Sequence, residues 1–219
     1  MQERHPVEIP EPILGRLHRY RLALRRLRRE GRTTVASQAL GELSGVTAVL
    51  VRKDLSRLGP LGQRGVGYAL EPLLRQIEYR LQRGEPQALM LIGAGNLGAA
   101  VAGYLGFDMQ EYRLAGVFDS NPARVGHRLQ GIVVRPMREL PQAVRGTGVR
   151  LGILALPAAQ AQGAADFCAA AGLRALLNFA PVQVQAPSGV VVRQLDLTEE
   201  LQILQYQLKG SGPGGPEQI

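Results

Sequence analysis

Between Leu89 and Asp119 the chain commits to a βαβ unit. Leu89-Met90-Leu91-Ile92 is an apolar run of strand length. Gly93-Ala94-Gly95-Asn96-Leu97-Gly98 follows, and Ala99-Ala100-Val101-Ala102 opens a small-residue helix. A second apolar run, Leu114-Ala115-Gly116-Val117-Phe118, ends on Asp119, 21 residues past Gly98. A strand entering G-x-G-x-x-G, a helix, and a second strand closed by an acid form the order that dinucleotide binding requires. Gly93 allows the tight turn, Gly95 lets backbone approach a pyrophosphate, and Gly98 lets the helix pack on the strand. Ala94, Asn96 and Leu97 complete the turn, whose N–H groups at the helix start face the phosphates. Asp119 is placed to accept hydrogen bonds from the adenosine ribose, and its charge favours NAD(H) over NADP(H). Arg124, five residues on, weakens that preference slightly.

The alternation continues. Strands are expected at Ile132–Val134, Val149–Leu156, Leu173–Phe179 and Val190–Leu195, with helices near Pro136–Val144 and over Pro157–Ala171. This predicts an α/β domain, a parallel, doubly wound Rossmann-like sheet. Leu156-Pro157 and Asn178-Phe179-Ala180-Pro181 fall at strand ends, on the edge where ligands lie in such sheets. A dehydrogenase also needs a second lobe and a proton donor beside the nicotinamide. The unit ends near residue 195, and the histidines, His5, His18 and His127, lie outside the strand-end loops of the second half. The dinucleotide therefore reads as a signal rather than a reagent, and the chain as no enzyme. The single cysteine, Cys168, sits in an alanine-rich helical run; it suits a small buried position and a reducing compartment. No apolar run approaches the roughly 20 residues that span a bilayer, and Met1–Pro12 is too polar for a signal peptide, so a cytoplasmic protein is expected.

The formal net charge of +8 is unevenly placed. Residues 1–84 carry 16 Lys and Arg against 8 Asp and Glu, whereas residues 85–219 carry 10 of each. A polyanion partner is expected for the first part. There Pro12 opens a helix that Gly31 closes, with Ile13, Leu17, Tyr20, Leu24 and Leu27 as its apolar stripe. Arg16, Arg19, Arg26 and Glu30 lie outside that stripe, and several of the arginines in this helix are expected only to solvate it. In Ser37–Ser56 two short helices meet at Leu43-Ser44-Gly45-Val46, with small Gly41 and apolar Val51 spaced as a helix-turn-helix requires. Thr47 caps the second helix, Val51 and Leu55 face inward, and Arg52, Lys53 and Ser56 face outward, as major-groove reading demands. Asp54 is expected to pair locally. The glycine-dense Gly59–Tyr68 reads as a hairpin, the wing of a winged helix, with Arg64 at its tip to enter a minor groove. Pro72 starts a last helix, and Arg83-Gly84-Glu85-Pro86 is a linker.

After the sheet, Thr198–Lys209 forms a capped helix whose Leu201, Leu204 and Leu208 stripe lacks an obvious partner in its own domain. A second subunit is the expected cover. The Gly/Pro-rich 210–219 reads as a disordered tail. The expected organisation is thus a winged-helix DNA-binding domain (1–84), a Rossmann NAD(H)-binding domain (85–196), a dimerisation helix (197–209) and a tail (210–219).

Across about residues 12–209 the chain resembles the Rex family of bacterial redox-sensing repressors. The resemblance rests on VRKDLS (51–56), GQRGVGY (62–68), IGAGNLG (92–98), GYLGF (103–107), NFAP (178–181) and LDLTEELQ (195–202), in that order. It implies a homodimer with exchanged C-terminal helices that binds a palindromic operator and leaves it when NADH binds. Arg52 and Lys53 match the family's recognition-helix pair and Arg64 its wing residue. Tyr104 matches a tyrosine near the nicotinamide, and Asp196 an acid that changes partners when NADH replaces NAD⁺. Asn96 stands where some members carry an arginine, and Leu197 where some carry a phenylalanine. Two rivals predict other behaviour. An NAD(H)-dependent oxidoreductase transfers hydride, and a CoA-binding domain uses a related fold with no call for Asp119 or a basic winged helix.

Overall fold

The computed structural model describes residues 10–63, 65–81, 86–108 and 112–210. It divides into two compact units, Met1–Glu85 and Pro86–Ile219.

In the first unit, α1 (Glu11–Arg29) buries Ile13, Leu17, Tyr20, Leu24 and Leu27 against α2 (Ser37–Ser44), α3 (Ala48–Ser56) and α4 (Leu70–Leu81). Gly45, at φ 65°, closes α2 in the left-handed region that glycine tolerates best. A Cβ on Gly41 would come within 2.6 Å of the Val46 carbonyl oxygen, so the close approach of the two helices depends on a residue without a side chain. Three short strands complete the unit in the order β1-β3-β2: β1 (Thr34–Val35), β2 (Gly62–Gln63) and β3 (Gly67–Ala69), all antiparallel. Sequence reasoning missed β1, whose two residues carry no period. Pro72 does not start α4; the helix begins at Leu70, directly after β3, and proline is tolerated in its first turn, where N–H groups lack intrahelical partners. Of the expected linker, Arg83, Gly84 and Glu85 lie outside the described residues, and Pro86 directly precedes the first strand of the second unit.

The second unit is a seven-stranded sheet in the order β10-β9-β8-β4-β5-β7-β6. Its strands are β4 (Gln87–Ile92), β5 (Tyr112–Asp119), β6 (Arg128–Leu129), β7 (Ile132–Pro136), β8 (Leu151–Leu154), β9 (Ala175–Asn178) and β10 (Val191–Gln194). Every pairing is parallel except β6 with β7, a hairpin that adds an antiparallel edge to the predicted parallel sheet. Along β4, Met90 and Ile92 pack on one face with α6 (Leu140–Thr147) and α7 (Ala158–Ala171), while Leu89 and Leu91 pack on the other beside α5 (Asn96–Asp108). This alternation is what a strand buried on both faces produces. A short 3-10 turn at Met137–Glu139 occupies the start of the helix expected near Pro136. Cys168 is fully buried, and burial pushes its thiol up to about 12, well above thiolate reactivity.

α6, α7 and the helix-free β9–β10 connection, through Ala180, Val184 and Val190, all pack on the opposite face, which leaves the α5 face open over β8 and β9. A groove of about 590 Å³ lies there, lined by Leu89, Val101, Leu151, Ile153, Leu177 and Leu195 among others. The final helix, α8 (Leu197–Gly210), has every side chain from Leu197 to Leu208 exposed. Residues 211–219, most of the expected tail, lie outside the described residues. No described helix is long and apolar enough to cross a membrane.

Candidate dinucleotide and nucleic-acid sites

Strand order reverses at β4, with β5 and β7 on one side and β8, β9 and β10 on the other. Ligands of open α/β sheets bind at such a switch point, outside the carboxyl ends of the strands. The glycine turn stands there. Gly93 takes φ 100°, and its bare Cα faces the Ala155 carbonyl. A Cβ on Gly98 would overlap the Gly93 carbonyl oxygen. Gly95 differs: the nearest group to a Cβ there is the movable Arg124 guanidinium, at 3.6 Å. Gly93 and Gly98 are thus required by the protein's own packing, whereas Gly95 borders space that a ligand can enter. Asn96 and Leu97, at the start of α5, are exposed, and Ala94 is half-buried.

Asp119 ends β5 and is buried to 2% exposure. Its Oδ2 accepts from the Ala94 N–H at 2.8 Å and from Arg124 Nη1 at 3.2 Å, and its Oδ1 accepts from the Asn121 N–H at 2.7 Å. It therefore braces the glycine turn, a role the sequence did not reveal, and the half-exposed Arg124 screens it from solvent. A carboxylate has about four acceptor sites, so ribose hydroxyls can still be received once Arg124 gives way.

Leu156, two residues past the end of β8, lines a cavity of about 370 Å³ with Ile92 and Ser120, and Pro157 beside it is exposed. Tyr104 and Phe179 instead lie with Leu195 in the apolar groove on the α5 face. Phe179 is oriented by Asn178, which is fully buried. The Asn178 amide donates to Val182 O and Gln194 Oε1 and accepts from the Ala180 N–H, locking the NFAP turn. Asp196 precedes α8, and its Oδ1 accepts from the Thr198 N–H at 2.8 Å. The cap of this helix is thus Asp196, with Thr198 in its first turn.

In the first unit, Thr47 Oγ1 accepts from the Leu50 N–H and caps α3 as expected. Arg52 and Lys53 are exposed on α3. Arg52 Nη1 donates to Ser37 Oγ at 2.9 Å, so the first residue of α2 holds the guanidinium beside the hairpin of Gly62–Ala69. Ser37 was not among the sequence candidates; a serine at a helix start reads first as a cap. Tyr68, on β3, is pushed up by burial and drawn back down by nearby Arg52. Ser56 spends its proton on Lys53 O, so in this rotamer it offers only an acceptor. Arg64 lies outside the described residues.

Asp54 does not pair locally. It is buried on the inner side of α3 and takes a two-pronged ion pair from Arg16, 38 residues away, with Nε at 2.6 Å from Oδ2 and Nη2 at 2.9 Å from Oδ1. The fully buried Tyr20 hydroxyl adds a third bond at 2.9 Å. Burial opposes ionisation of Asp54, but Arg16 and Tyr20 outweigh it and hold the carboxyl below its ordinary range. Arg16 is therefore a fastener of α3 to α1, not a solvating residue.

These features define a class: a basic winged-helix unit on one chain with a dinucleotide-fold unit, the architecture of a ligand-responsive DNA-binding regulator. A putative DNA-binding protein N-terminus family model matches residues 8–56, and a CoA binding domain model matches residues 85–182. Proteins described as redox-sensing transcriptional repressor Rex are similar along nearly the whole chain. That of Roseiflexus sp. is 42% identical over 92% of this chain and 91% of its own, and that of Desulforamulus reducens is 42% identical over 92% and 96%. Among solved structures, RSP, a Rex-family repressor, superposes with a TM-score of 0.82 at 31% identity, covering 92% of this chain and 95% of its own. RSP in complex with β-NAD⁺ and operator DNA superposes at 0.84 with 32% identity, covering 93% and 94%. RSP with β-NADH gives 0.80 with 30% identity, covering 92% and 94%. The chain belongs to the Rex family of redox-sensing transcriptional repressors.

Proposed function

We propose that this chain represses transcription by binding a palindromic operator and leaves that operator when NADH occupies the glycine turn, so that it reports the NADH/NAD⁺ ratio of the cytoplasm. The observation that carries the reading is the space beside Gly95, open to a ligand and bordered by Asp119 and Arg124, on a chain whose other unit presents Arg52 and Lys53 from a recognition helix. The dinucleotide is an effector, not a hydride reagent, and NADH is not consumed. The turn residues Gly93 to Gly98, with Asp119, Leu156 and Pro157, hold the dinucleotide, and Tyr104, Phe179 and Asp196 meet its nicotinamide end. Thr47, Arg52, Lys53, Ser56 and Arg64 meet DNA. A homodimer is supported by the open apolar groove and by the exposed Leu201, Leu204 and Leu208 of α8: α8 of each subunit covers the groove of the other.

NADH and NAD⁺ differ by one positive charge and by the planarity of one ring. Two unit charges about 4 Å apart interact by about 4 kcal/mol at an effective dielectric of about 20, before their own solvation is counted. A carboxylate near the nicotinamide can therefore tell the two apart, and we assign this to Asp196 of the partner subunit acting with Tyr104. Subunit rotation then removes the two recognition helices from major grooves that face one side of the duplex, with half-sites about 34 Å or a multiple apart.

Fluorescence anisotropy on an operator duplex tests the reading. NADH should release the protein at concentrations where NAD⁺ does not, and equal effects of the two ligands would refute redox sensing. CoA should fail to compete with NADH; effective competition would favour the CoA-binding rival. Replacing Asp196 with Asn keeps a side chain able to cap α8 while removing the charge. Asp196→Asn is expected to bind operator normally and to lose at least about tenfold of its NADH/NAD⁺ discrimination. An unchanged ratio would remove Asp196 from the switch. Arg52→Ala should weaken operator binding by about 1–3 kcal/mol, read by the same anisotropy.

A further inference from the structure

Val49 is 66% exposed in the first turn of α3. At about 100° per residue it lies roughly opposite the buried Val51, Asp54 and Leu55. Its neighbours on that outer face are Arg52, Lys53 and Ser56, all exposed. A lone exposed apolar residue is ordinary on a protein surface. This one stands at the centre of a cationic helix face, where a β-branched side chain adds neither solubility nor helix propensity. The cations select a polyanion. The apolar branch selects an apolar group recessed between phosphates, and in the major groove that group is the C5-methyl of thymine. The first turn of a recognition helix is the part that reaches the base edges.

We propose that Val49 reads a thymine C5-methyl group in each operator half-site and is a specificity-determining residue of this repressor. The inference rests on α3 being the recognition helix and goes beyond it by naming the residue and the base atom.

The test uses the full chain and a duplex selected for tight binding from a random pool. Thymines are replaced in symmetric pairs by deoxyuridine, which removes the methyl group alone. For the unmodified protein, one pair of replacements should weaken binding about tenfold, with the others nearly silent. Val49→Ala should lose that sensitivity at that pair only. Because Val49 is exposed, its replacement leaves the fold intact, which a melting curve verifies. A Val49→Ala profile identical to that of the unmodified protein, or no deoxyuridine-sensitive pair at all, overturns the proposal. Arg52→Ala separates the two levels. If it weakens binding while Val49→Ala changes nothing, only the Val49 assignment fails; if neither variant matters, the recognition-helix reading fails with it.

Discussion

Gly95→Ala is expected to leave the chain folded and fully competent for operator binding, yet to weaken NADH by about tenfold or more and so hold the repressor on DNA when NADH is added. Gly95 does not take a positive φ, and the group nearest to an added Cβ is the movable Arg124 guanidinium at 3.6 Å. The protein has no packing reason to refuse alanine, and replacing glycine in a compatible conformation stabilises by about 0.4–1 kcal/mol through the unfolded chain. The new methyl projects instead into the space a pyrophosphate needs. Overpacking of this kind costs about 1–3 kcal/mol, and each 1.4 kcal/mol is about tenfold in affinity. Titration of NADH fluorescence gives the binding constant, and anisotropy of labelled operator gives the release curve. NADH affinity within threefold of the unmodified protein would mean the ligand does not cross the turn at Gly95. Gly98→Ala provides the contrast: its Cβ would overlap the Gly93 carbonyl oxygen, so it should lower the melting temperature as well as abolish binding.

The two glycines look alike in the sequence, and only the structure separates a packing requirement from a ligand requirement. Features written in short-range pattern were legible beforehand. The glycine turn, the Gly45 bend and the Thr47 cap depend on neighbours within a few residues, and the helix-turn-helix and the glycine turn appear where the spacing places them. Interactions between distant segments were not legible. Arg16 and Asp54 are 38 residues apart, and each alone reads as a surface charge. Asp119 was legible as an acid at a strand end, but not as the brace of Ala94, because that bond depends on the parallel register of β4 with β5. Two-residue strands such as β1 and β6 carry too few positions to show a period of two. Val49 carries no pattern of its own: a single apolar residue between outward charges reads as an ordinary surface position until the helix face is built.

The largest loss of stability is expected from Asp54→Ala. Removing one partner of a buried ion pair typically costs about 3–5 kcal/mol; because Arg16 retains some access to water, about 3 kcal/mol is expected, a fall of about 15 °C in the melting of the winged-helix unit. The Tyr20 hydroxyl loses its acceptor in the same step. The pH dependence carries a definite sign. Arg16 and Tyr20 hold the Asp54 carboxyl below its ordinary value against the opposing effect of burial. The stabilisation from the pair is therefore fully present above the unfolded carboxyl pKa of about 3.9 and is lost as pH falls through the lower folded value. Melting curves for Asp54→Asn and the unmodified chain should differ by a constant amount above about pH 5 and converge below about pH 4. A constant gap down to pH 3 would show that shape, not charge, makes the contribution. Function supplies the second readout. Asp54 lies roughly on the opposite side of α3 from Val49 and Arg52, so its loss frees the helix to roll while leaving the outward cations in place. Binding to the operator should weaken far more than binding to random duplex, because phosphate attraction survives a rolled helix and base reading does not. Equal weakening on both duplexes would assign the effect to unfolding alone.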